Sequence, residues 1–512
     1  MKRVSFILLI LFTFLCISCQ NAQDKVEKRS LSSDSLRAWQ NPTWALRGTT
    51  IRRQIKDLCW KEGTKMYADT IVTRYYKNEQ PLIWVSEWGV NSQADSLLVW
   101  LQNNAFVGLN KSAFHYNEIT GNLKKIRTLN FSKGENANTL WANTEFYLTS
   151  AYIRLACGLR FGFLNPYTTF NTLDKEDSPG HNKYKCLYDI KPEVVTDSFI
   201  NVAMQKLRNQ KLIEFLASVQ PQDTLYHKLL ASYRNTPTND TVYREKLRVN
   251  MERRRWRIPR PSTNKYIAVN LAEFMLSAYN HNTDSVLTMK VCGGNTKHKS
   301  PILHSHINRM ELNPYWIVPN SIIRKEIAPV HAGSSDYFER NKIRIIDNET
   351  REELNPDSVT ATMLKSGRYM LRQDRGAGNS LGRIVFRFPN RFAVYLHDTN
   401  SPGAFRRTSR AVSHGCIRLE KPYDLATFLL DSPSPEFIDK IRIAIDLPAK
   451  TAKGKAWKDN PEYKHMKNYD YKTPIPVFIH YHTLYPNAAG EICSLPDPYG
   501  YDKIMKKILN SL

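Results

Sequence analysis

The feature that most constrains the fold of this chain is a change in hydrophobic periodicity near residue 260. In the first half apolar residues recur at helical spacing, as in 139–157, a helix expected to end before Gly158. From Tyr266 onward, short segments have the content or alternation of strands. These predicted strands are Tyr266–Asn270, Ser285–Val291, Arg383–Phe388, Arg391–His397, Lys440–Leu447 and Val477–Tyr481. The pattern predicts an α+β protein, helical first and β-rich afterwards.

The N-terminus has the pattern of an export signal. Lys2 and Arg3 precede a short apolar run, so residues 1–19 are predicted to be a signal peptide. Cys19 ends a stretch typical of lipoprotein processing, although Cys16 stands where an aliphatic residue is usual; cleavage without lipidation is the alternative. Residues 20–44 are polar and predict a tether. We expect a periplasmic protein of the cell envelope, held at a membrane by a lipid on Cys19.

The charge of the chain predicts anionic partners. The formal net charge is +25, and such a field concentrates anions. The export signal and the lack of a nucleic-acid-binding motif argue against nucleic acid. Residues 243–257 predict a strongly basic helix, interpreted either as a solvated helix or as a stripe that contacts a polyanion.

The cysteines and histidines do not predict a metal centre. The cysteines after residue 20 form no CxxC pair, and a zinc site built from His397, His414 and Cys416 lacks a further ligand at convincing spacing. We expect neither a metal nor another cofactor.

One short segment carries the residue types of thiol catalysis. Cys416 lies in Ser413-His414-Gly415-Cys416-Ile417-Arg418, after an arginine-rich loop and before a predicted helix. Cations and a helix N-terminus both favour a thiolate. His397 is expected at the end of a strand, where it could serve as the base for a cysteine nucleophile.

The same residues support a family resemblance. The spacing from His397 to Ser413-His414-Gly415-Cys416 resembles the active-site signature of the L,D-transpeptidases, whose catalytic domain is of the YkuD type. Further segments resemble the large YcbB-like branch of that family, and the similarity covers about 245–512, weakening back to about 70. These segments are Asn313–Trp316, Gly376–Gly382, Phe388–Asn390, Tyr395–Thr399 and Pro474–Val477.

The resemblance implies a domain organisation. It implies a helical scaffold at 45–240, followed by a β-rich catalytic domain at 241–512 with a lid subdomain inserted at about 317–375. The small peptidoglycan-binding module of many relatives has no room between 233 and 247. For the lid segment, an ordinary surface insertion is the alternative.

The resemblance also implies roles for individual residues. Cys416 would be the nucleophile and His397 the general base, oriented by the main chain of Asp398 more than by its carboxylate. The oxyanion region and pocket would be formed by Ser413, His414 and Gly415, with the N–H groups of Gly415 and Cys416 facing the oxyanion. Candidate substrate contacts are Arg418, Tyr315, Trp316 and Asn379, with an ion pair, core packing and a turn as their respective alternatives.

The predicted function is that of a peptidoglycan L,D-transpeptidase, an acyltransferase that forms 3-3 cross-links between stem peptides and releases D-Ala. Carbapenem-type inhibitors would be expected to acylate its cysteine. Two alternatives remain open: an L,D-carboxypeptidase that trims tetrapeptide stems, and a non-catalytic lipoprotein that binds the wall.

Overall fold

A computed structural model describes residues 45–63, 66–103, 111–131, 135–175, 184–257, 263–487 and 489–512. The predicted signal peptide, the tether and Cys19 lie outside the described residues. Within those ranges, no helix is both long and apolar enough to cross a membrane.

Helices dominate the first half of the chain, as the periodicity predicts. The helices are α1 (Gly48–Lys61), α2 (Tyr67–Lys77), α3 (Gln93–Asn103), α4 (Tyr116–Thr128), α5 (Ala137–Phe161), α6 (Pro166–Phe170), α7 (Asp197–Arg208), α8 (Leu212–Ser218), α9 (Thr224–Asn235), α10 (Thr241–Arg255), α11 (Asn320–Ile322), α12 (Ala328–His331), α13 (Ser335–Arg340), α14 (Ala361–Ser366), α15 (Pro422–Phe428), α16 (Pro435–Ala444), α17 (Ala452–Asp459) and α18 (Tyr501–Ser511). Single turns of 3₁₀-helix lie at Lys111–Phe114, Pro356–Ser358 and Pro402–Arg406, and a π-helical turn at Ile323–Ile327.

Strands dominate the second half. They are β1 (Val85–Ser86), β2 (Gly89–Val90), β3 (Tyr188–Asp189), β4 (Lys265–Asn270), β5 (Met275–Asn280), β6 (Ser285–Gly294), β7 (Ile302–Leu312), β8 (Trp316–Ile317), β9 (Ile343–Asp347), β10 (Glu353–Leu354), β11 (Tyr369–Gln373), β12 (Ile384–Arg387), β13 (Leu396–His397), β14 (Ala411–Ser413), β15 (Ile417–Leu419), β16 (Asn468–His480), β17 (Leu484–Pro486) and β18 (Ile492–Ser494). The α+β prediction is confirmed.

The described residues divide into two compact units. One contains 45–101, Lys111–Arg154 and Leu207–Leu212. In it the buried carboxylate of Glu145 accepts N–H bonds from Ile83 and Trp84, both at 2.8 Å, which fixes the chain that leads into β1. The other unit contains Leu155–Lys206 and Ile213–Leu512, with the main sheet.

The main sheet of the second unit closes on itself. Its strand order is β12-β13-β15-β6-β5-β4-β16-β7, and β7 pairs in turn with β12. Strand side chains alternate between faces, so Phe386, Leu396 and Ile417, which are directly cross-strand, lie together in the apolar core. The neighbouring residues on these strands therefore point to the opposite face, and that face carries the candidate catalytic residues.

The segment predicted as a lid has its own small fold. Strands β8, β9, β10 and β11 form a separate antiparallel sheet in the order β10-β9-β11-β8. A separate cluster of buried apolar residues underlies it, among them Ile327, Phe338 and Leu371. Because this cluster is internal to the insertion, the insertion is a packed subdomain rather than a surface loop.

Two arginines of the basic helix α10 are buried, Arg253 and Arg255, and at these positions neither interpretation of 243–257 holds. Arg253 pairs with Asp502 at 2.6 Å, and the fully buried Arg255 pairs with Glu252 at 2.9 Å. Glu252 also accepts the N–H of Leu164 at 2.8 Å. The arginines are therefore internal ion-pair partners, and neither a solvated face nor a polyanion-binding stripe exists at these two positions.

Three local predictions were wrong. Of the predicted strand Arg391–His397, only Leu396–His397 is a strand, β13. The segment 440–447 was predicted as a strand from its alternation, but most of it lies in α16, where Ser434 caps the helix by accepting the N–H of Phe437 and Pro435 takes the first turn. Helix α5 continues beyond Gly158 to Phe161. A side chain at Gly158 would collide with the ring of Phe163, so this glycine permits close packing rather than ending the helix.

Candidate active site

Strand register brings the candidate nucleophile and base together. Strands β13 and β15 are parallel, with His397 opposite Arg418, and the N–H of Ile417 donates to the carbonyl of Tyr395 at 3.1 Å. Residues two apart on a strand share a face. Cys416 therefore lies on the same face as His397, on the adjacent strand and one step along it. The register therefore puts the thiol and the imidazole on one face, diagonal to each other across the two segments.

Cys416 is partly exposed, but its sulfur is in a desolvating environment. Burial raises the pKa of this thiol above its usual value, whereas Tyr395, Arg387 and Arg418 lower it. The Sγ atom lies 3.9 Å from the carbonyl oxygen of Ala393. Because the largest effect is desolvation, the free protein holds Cys416 mainly as a thiol.

The expected sources of thiolate stabilisation were partly wrong. Cys416 is followed directly by strand β15, and the predicted helix, α15, begins after that strand at Pro422. The arginines that precede Cys416 in the chain are not among the main influences on its pKa, and the guanidinium of Arg410 donates to the carbonyls of Glu273 and Phe274 at 2.8 and 3.1 Å. Arg387 acts instead, from strand β12.

His397 is buried and held neutral. Burial lowers the pKa of this imidazole to about 3, and the charge of Arg418 acts in the same direction. Main-chain groups of Asp398 and Leu381 oppose that shift. Nδ1 has no partner of good hydrogen-bond geometry in the described part of the chain. A neutral imidazole can accept a proton, as a general base requires.

The carboxylate of Asp398 does not complete a triad with His397. It accepts the N–H of Arg383 at 2.8 Å and that of Thr399 at 2.7 Å. Burial raises the pKa of this carboxyl group. The side chain of Asp398 therefore fixes the turn after β13, and its main chain is the part that acts on the imidazole.

The loop before Cys416, residues 413–416, is fixed by its own hydrogen bonds. Ser413 donates its hydroxyl to the carbonyl of Cys416 at 2.6 Å and accepts the N–H of Gly415 at 3.2 Å. Ser300 donates to the carbonyl of Gly415 at 2.7 Å from the buried side. Gly415 has φ of 115°, a conformation that favours glycine.

These bonds correct the expected pair of oxyanion donors. The N–H of Gly415 is already bonded to Ser413, whereas that of Cys416 has no acceptor among the described residues. Only the N–H of Cys416 is therefore available in this conformation to a developing negative charge.

His414 points away from this hydrogen-bonded core of the loop. Its Nε2 lies 2.7 Å from Oε1 of Glu326, which is on the π-helical turn of the inserted subdomain. Its ring centroid lies 4.9 Å from that of His298. The structure therefore places His414 at the contact between loop and lid.

Arg418 and Arg387 differ in how they are paired. Arg387 forms an ion pair with Glu311 at 2.8 Å and stacks over the ring of Tyr395 at 4.3 Å. No carboxylate pairs with Arg418 in the described part of the chain, and its buried Nε has no hydrogen-bond partner there. Unlike Arg387, Arg418 thus carries a charge that no described carboxylate offsets by an ion pair.

The other predicted substrate contacts lie at the base of the lid. Trp316 packs against the lid core, and the exposed ring of Tyr315 lies under the guanidinium groups of Arg372 and Arg375, at 4.6 and 4.3 Å. The buried amide of Asn379 donates to the carbonyl of Asp374 at 2.9 Å and accepts the N–H of Leu381 at 2.8 Å. Asn379 is committed to the turn there rather than to a ligand.

A cavity of about 380 Å³ lies beside the site but not at the thiol. Asp398, Thr399 and Tyr423 line it, while Cys416 and His397 do not. No group of three or more metal-binding side chains comes together among the residues that the structure describes. The chemistry of the thiol face is therefore defined by the side chains described above, and not by this cavity.

Sequence reasoning missed several residues of this site. Tyr395 could have been found from its spacing of two from His397, which puts both on one strand face. Arg387, Ser300 and Glu326 carry no local signal, because they reach the site only through strand pairing or the packing of the lid.

Comparison with known families agrees with this geometry. Residues 264–435 match the YkuD family model, the L,D-transpeptidase catalytic domain. This match contains both Cys416 and His397. Residues 69–232 match a scaffold domain model. The predicted helical scaffold and β-rich YkuD-type domain are thus both supported by family matches.

Individual relatives agree in name. A Haemophilus influenzae protein named "Putative L,D-transpeptidase" is 28% identical over 303 residues, covering 59% of this chain and 57% of its own length. The chain therefore spans little more than half of that relative. Solved L,D-transpeptidases from Mycobacterium smegmatis and Mycobacterium tuberculosis are 12% and 11% identical, with 42% of this chain and 58% and 61% of theirs covered, at a TM-score of 0.19 each. That score is too low to support an argument.

Proposed function

We propose that this protein is a peptidoglycan L,D-transpeptidase that forms 3-3 cross-links through an acyl-enzyme on Cys416. The observation that carries the proposal is the placement of Cys416 and His397 on one face of adjacent strands, inside the segment that matches the L,D-transpeptidase catalytic domain. A thiol with a neutral imidazole beside it is suited to acyl transfer.

The first step makes the acyl-enzyme. His397 takes the proton of Cys416 as the sulfur attacks the carbonyl carbon of the third residue of a tetrapeptide stem. The N–H of Cys416 donates to the developing oxyanion. The bond to the D-Ala nitrogen then breaks, the proton on His397 passes to that nitrogen, and a thioester remains.

The second step forms the cross-link. A side-chain amine from the third residue of a neighbouring stem attacks the thioester and gives a proton to His397. The carbon–sulfur bond breaks, and that proton returns to the thiolate. Because the cleaved peptide bond supplies the acyl group, the reaction needs no nucleotide or other cofactor.

Arg418 is the proposed anchor for a substrate carboxylate. It carries a charge without an acidic partner among the described residues, and it lies opposite His397 in the register. A stem-peptide carboxylate would supply the missing anion. The formal charge of +25 favours approach to the anionic wall.

The remaining predictions belong to the same proposal. The helical scaffold match followed by an inserted lid favours the YcbB-like branch. We place the protein in the periplasm, held at a membrane by a lipid on Cys19, and expect carbapenem-type inhibitors to acylate Cys416.

The test is mass spectrometry of products from the purified protein and disaccharide-tetrapeptide, beside Cys416→Ala. A cross-linked dimer formed with loss of D-Ala, and absent with the variant, is the expected result. Tripeptide without dimer would replace the proposal by an L,D-carboxypeptidase. No product from either protein, with binding to sacculi retained, would indicate a wall-binding lipoprotein.

A further inference from the structure

A charged contact joins the lid subdomain to the nucleophile loop. Oε1 of Glu326 lies 2.7 Å from Nε2 of His414, two residues before Cys416. Both side chains are roughly half exposed, at 47% and 40%. Such exposed pairs contribute little to folding stability. The contact therefore joins the two parts without contributing much to the stability of the fold.

The backbone that carries Glu326 is firmly held. Ile323 and Ile327 flank it and are 1% and 3% exposed in the lid core. The turn between them is π-helical, a local widening often found at functional sites. Because Ile323 and Ile327 are buried on both sides of it, the backbone of Glu326 is fixed relative to the core of the inserted subdomain.

The loop on the other side of the contact is held from beneath. Ser300 donates to the carbonyl of Gly415, and the N–H of Asn295 donates to the carbonyl of Ser413 at 2.9 Å. His298, from the same connection as Asn295, places its ring beside that of His414. The nucleophile loop is thus contacted by Glu326 from the inserted subdomain and by Asn295, His298 and Ser300 from the catalytic domain.

We propose that Glu326 is a positioning residue, which couples the lid to the nucleophile loop through His414 and thereby keeps water from the thioester on Cys416. The proposal rests on the proposed function and concerns the partition of the acyl-enzyme between water and the acceptor amine. A lid held against the loop limits hydrolysis.

Product partition is the first test. The full-length protein and its variants Glu326→Ala and Glu326→Gln are compared by the ratio of tripeptide to cross-linked dimer. We expect the ratio to rise about twofold to fivefold in Glu326→Ala, the size of an exposed charged contact, and less in Glu326→Gln, which keeps a hydrogen bond. Glu339→Ala, an exposed glutamate on the same subdomain, should leave the ratio unchanged.

The second test does not need the natural substrate. Cys416 is alkylated with small iodoacetamide and with a bulky maleimide, and modification is followed by peptide mass spectrometry. Loss of the Glu326–His414 contact in Glu326→Ala should raise the ratio of the maleimide rate to the iodoacetamide rate (the bulky-to-small ratio) about twofold to fivefold. This readout remains decisive even if the wild-type protein makes no cross-linked product, so failure of the proposed function is distinguishable.

A double-variant cycle isolates the contact. If Glu326 acts through His414, Glu326→Ala should change the bulky-to-small ratio in the wild-type background and leave it unchanged in His414→Ala. An effect of equal size in both backgrounds, or no effect of Glu326→Ala in either, would overturn the proposal. If Glu326→Ala lowers the melting temperature but leaves the bulky-to-small ratio unchanged, the contact only stabilises the fold, and the proposal is wrong.

Discussion

Two arginine-rich parts of this chain have similar composition and opposite environments. In α10, Arg253 and Arg255 are buried against Asp502 and Glu252. On the thiol face, Arg418 has no acidic partner among the described residues. A buried cation that is paired with a carboxylate has its charge balanced within the protein. A cation without such a carboxylate can be balanced by an anionic ligand instead.

The electrostatic consequences differ as well. Interaction with Tyr226 and Glu252 outweighs desolvation and raises the pKa of Arg255, which keeps that helix charged in the core. Arg418 instead acts on its neighbours, because its charge lowers the pKa of both Cys416 and His397. The comparison teaches that arginines in segments of similar composition can differ in whether a carboxylate pairs with them, which sequence composition does not show.

The largest expected effect is on the nucleophile. Cys416→Ala should reduce turnover on the order of 10⁶-fold, because the thioester can no longer form. Cys292→Ala is the matched control: this buried thiol lies on the same sheet face, opposite Arg418, but lacks solvent access. Product formation on disaccharide-tetrapeptide measures both. Equal loss in the two variants would show that the face, rather than Cys416, had been disturbed.

The structural arginines are tested by removing one acid. Glu252→Ala should lower the free energy of unfolding by about 3–5 kcal/mol, since it leaves Arg255 unpaired in the core. Urea unfolding measures the change, with exposed Glu462→Ala as the control. Replacing both partners, in Glu252→Leu with Arg255→Met, should recover much of the stability. If the double variant is no better than Glu252→Ala, the loss comes from packing and not from charge.

A partly buried histidine gives a third effect, which depends on pH. Burial lowers the pKa of His304 to about 4, below its unfolded value of about 6.5. The unfolded chain therefore binds a proton that the folded chain refuses. The contribution of His304 to the free energy of unfolding is therefore fully present above about pH 6.5. It falls by about 1.4 kcal/mol per pH unit between about pH 6.5 and pH 4. His304→Phe should flatten that slope in urea unfolding, whereas the exposed His281→Phe should not.

The smallest of the four effects concerns Arg418. Its removal raises the pKa of Cys416, so Arg418→Ala should slow alkylation of the free thiol at pH 8 and cut kcat/KM about tenfold. Because desolvation already raises this pKa, the wild-type alkylation rate should still climb above pH 8. Arg406→Ala is the control, as Arg406 is exposed and is not among the main influences on the pKa of the thiol. If Arg418→Ala leaves the alkylation rate unchanged, Arg418 does not act on the thiol, and the proposed difference between it and the paired arginines of α10 is wrong.

The sequence predicted most of what is local in this protein. The helical spacing before 240 and the alternation after 266 predicted the α+β class, and Ser413–Arg418 with His397 identified the residues that the register places together. It failed at 440–447, where alternation could not reveal that Ser434 and Pro435 begin a helix. Periodicity indicates which face is apolar, and over a few residues a short amphipathic helix and a strand can have the same pattern of apolar and polar residues.

Pairing and burial were decided only by the tertiary structure. Residues far apart in the chain, such as Arg387 and Cys416 or Glu326 and His414, meet through strand register and packing of the lid. The buried ion pairs of α10 follow the same rule, because Arg253 finds Asp502 almost 250 residues later. The sequence by itself determined the reactive groups and the elements that carry them. The charge state and reach of those groups depend on long-range neighbours, which only the folded chain brings within a few ångströms.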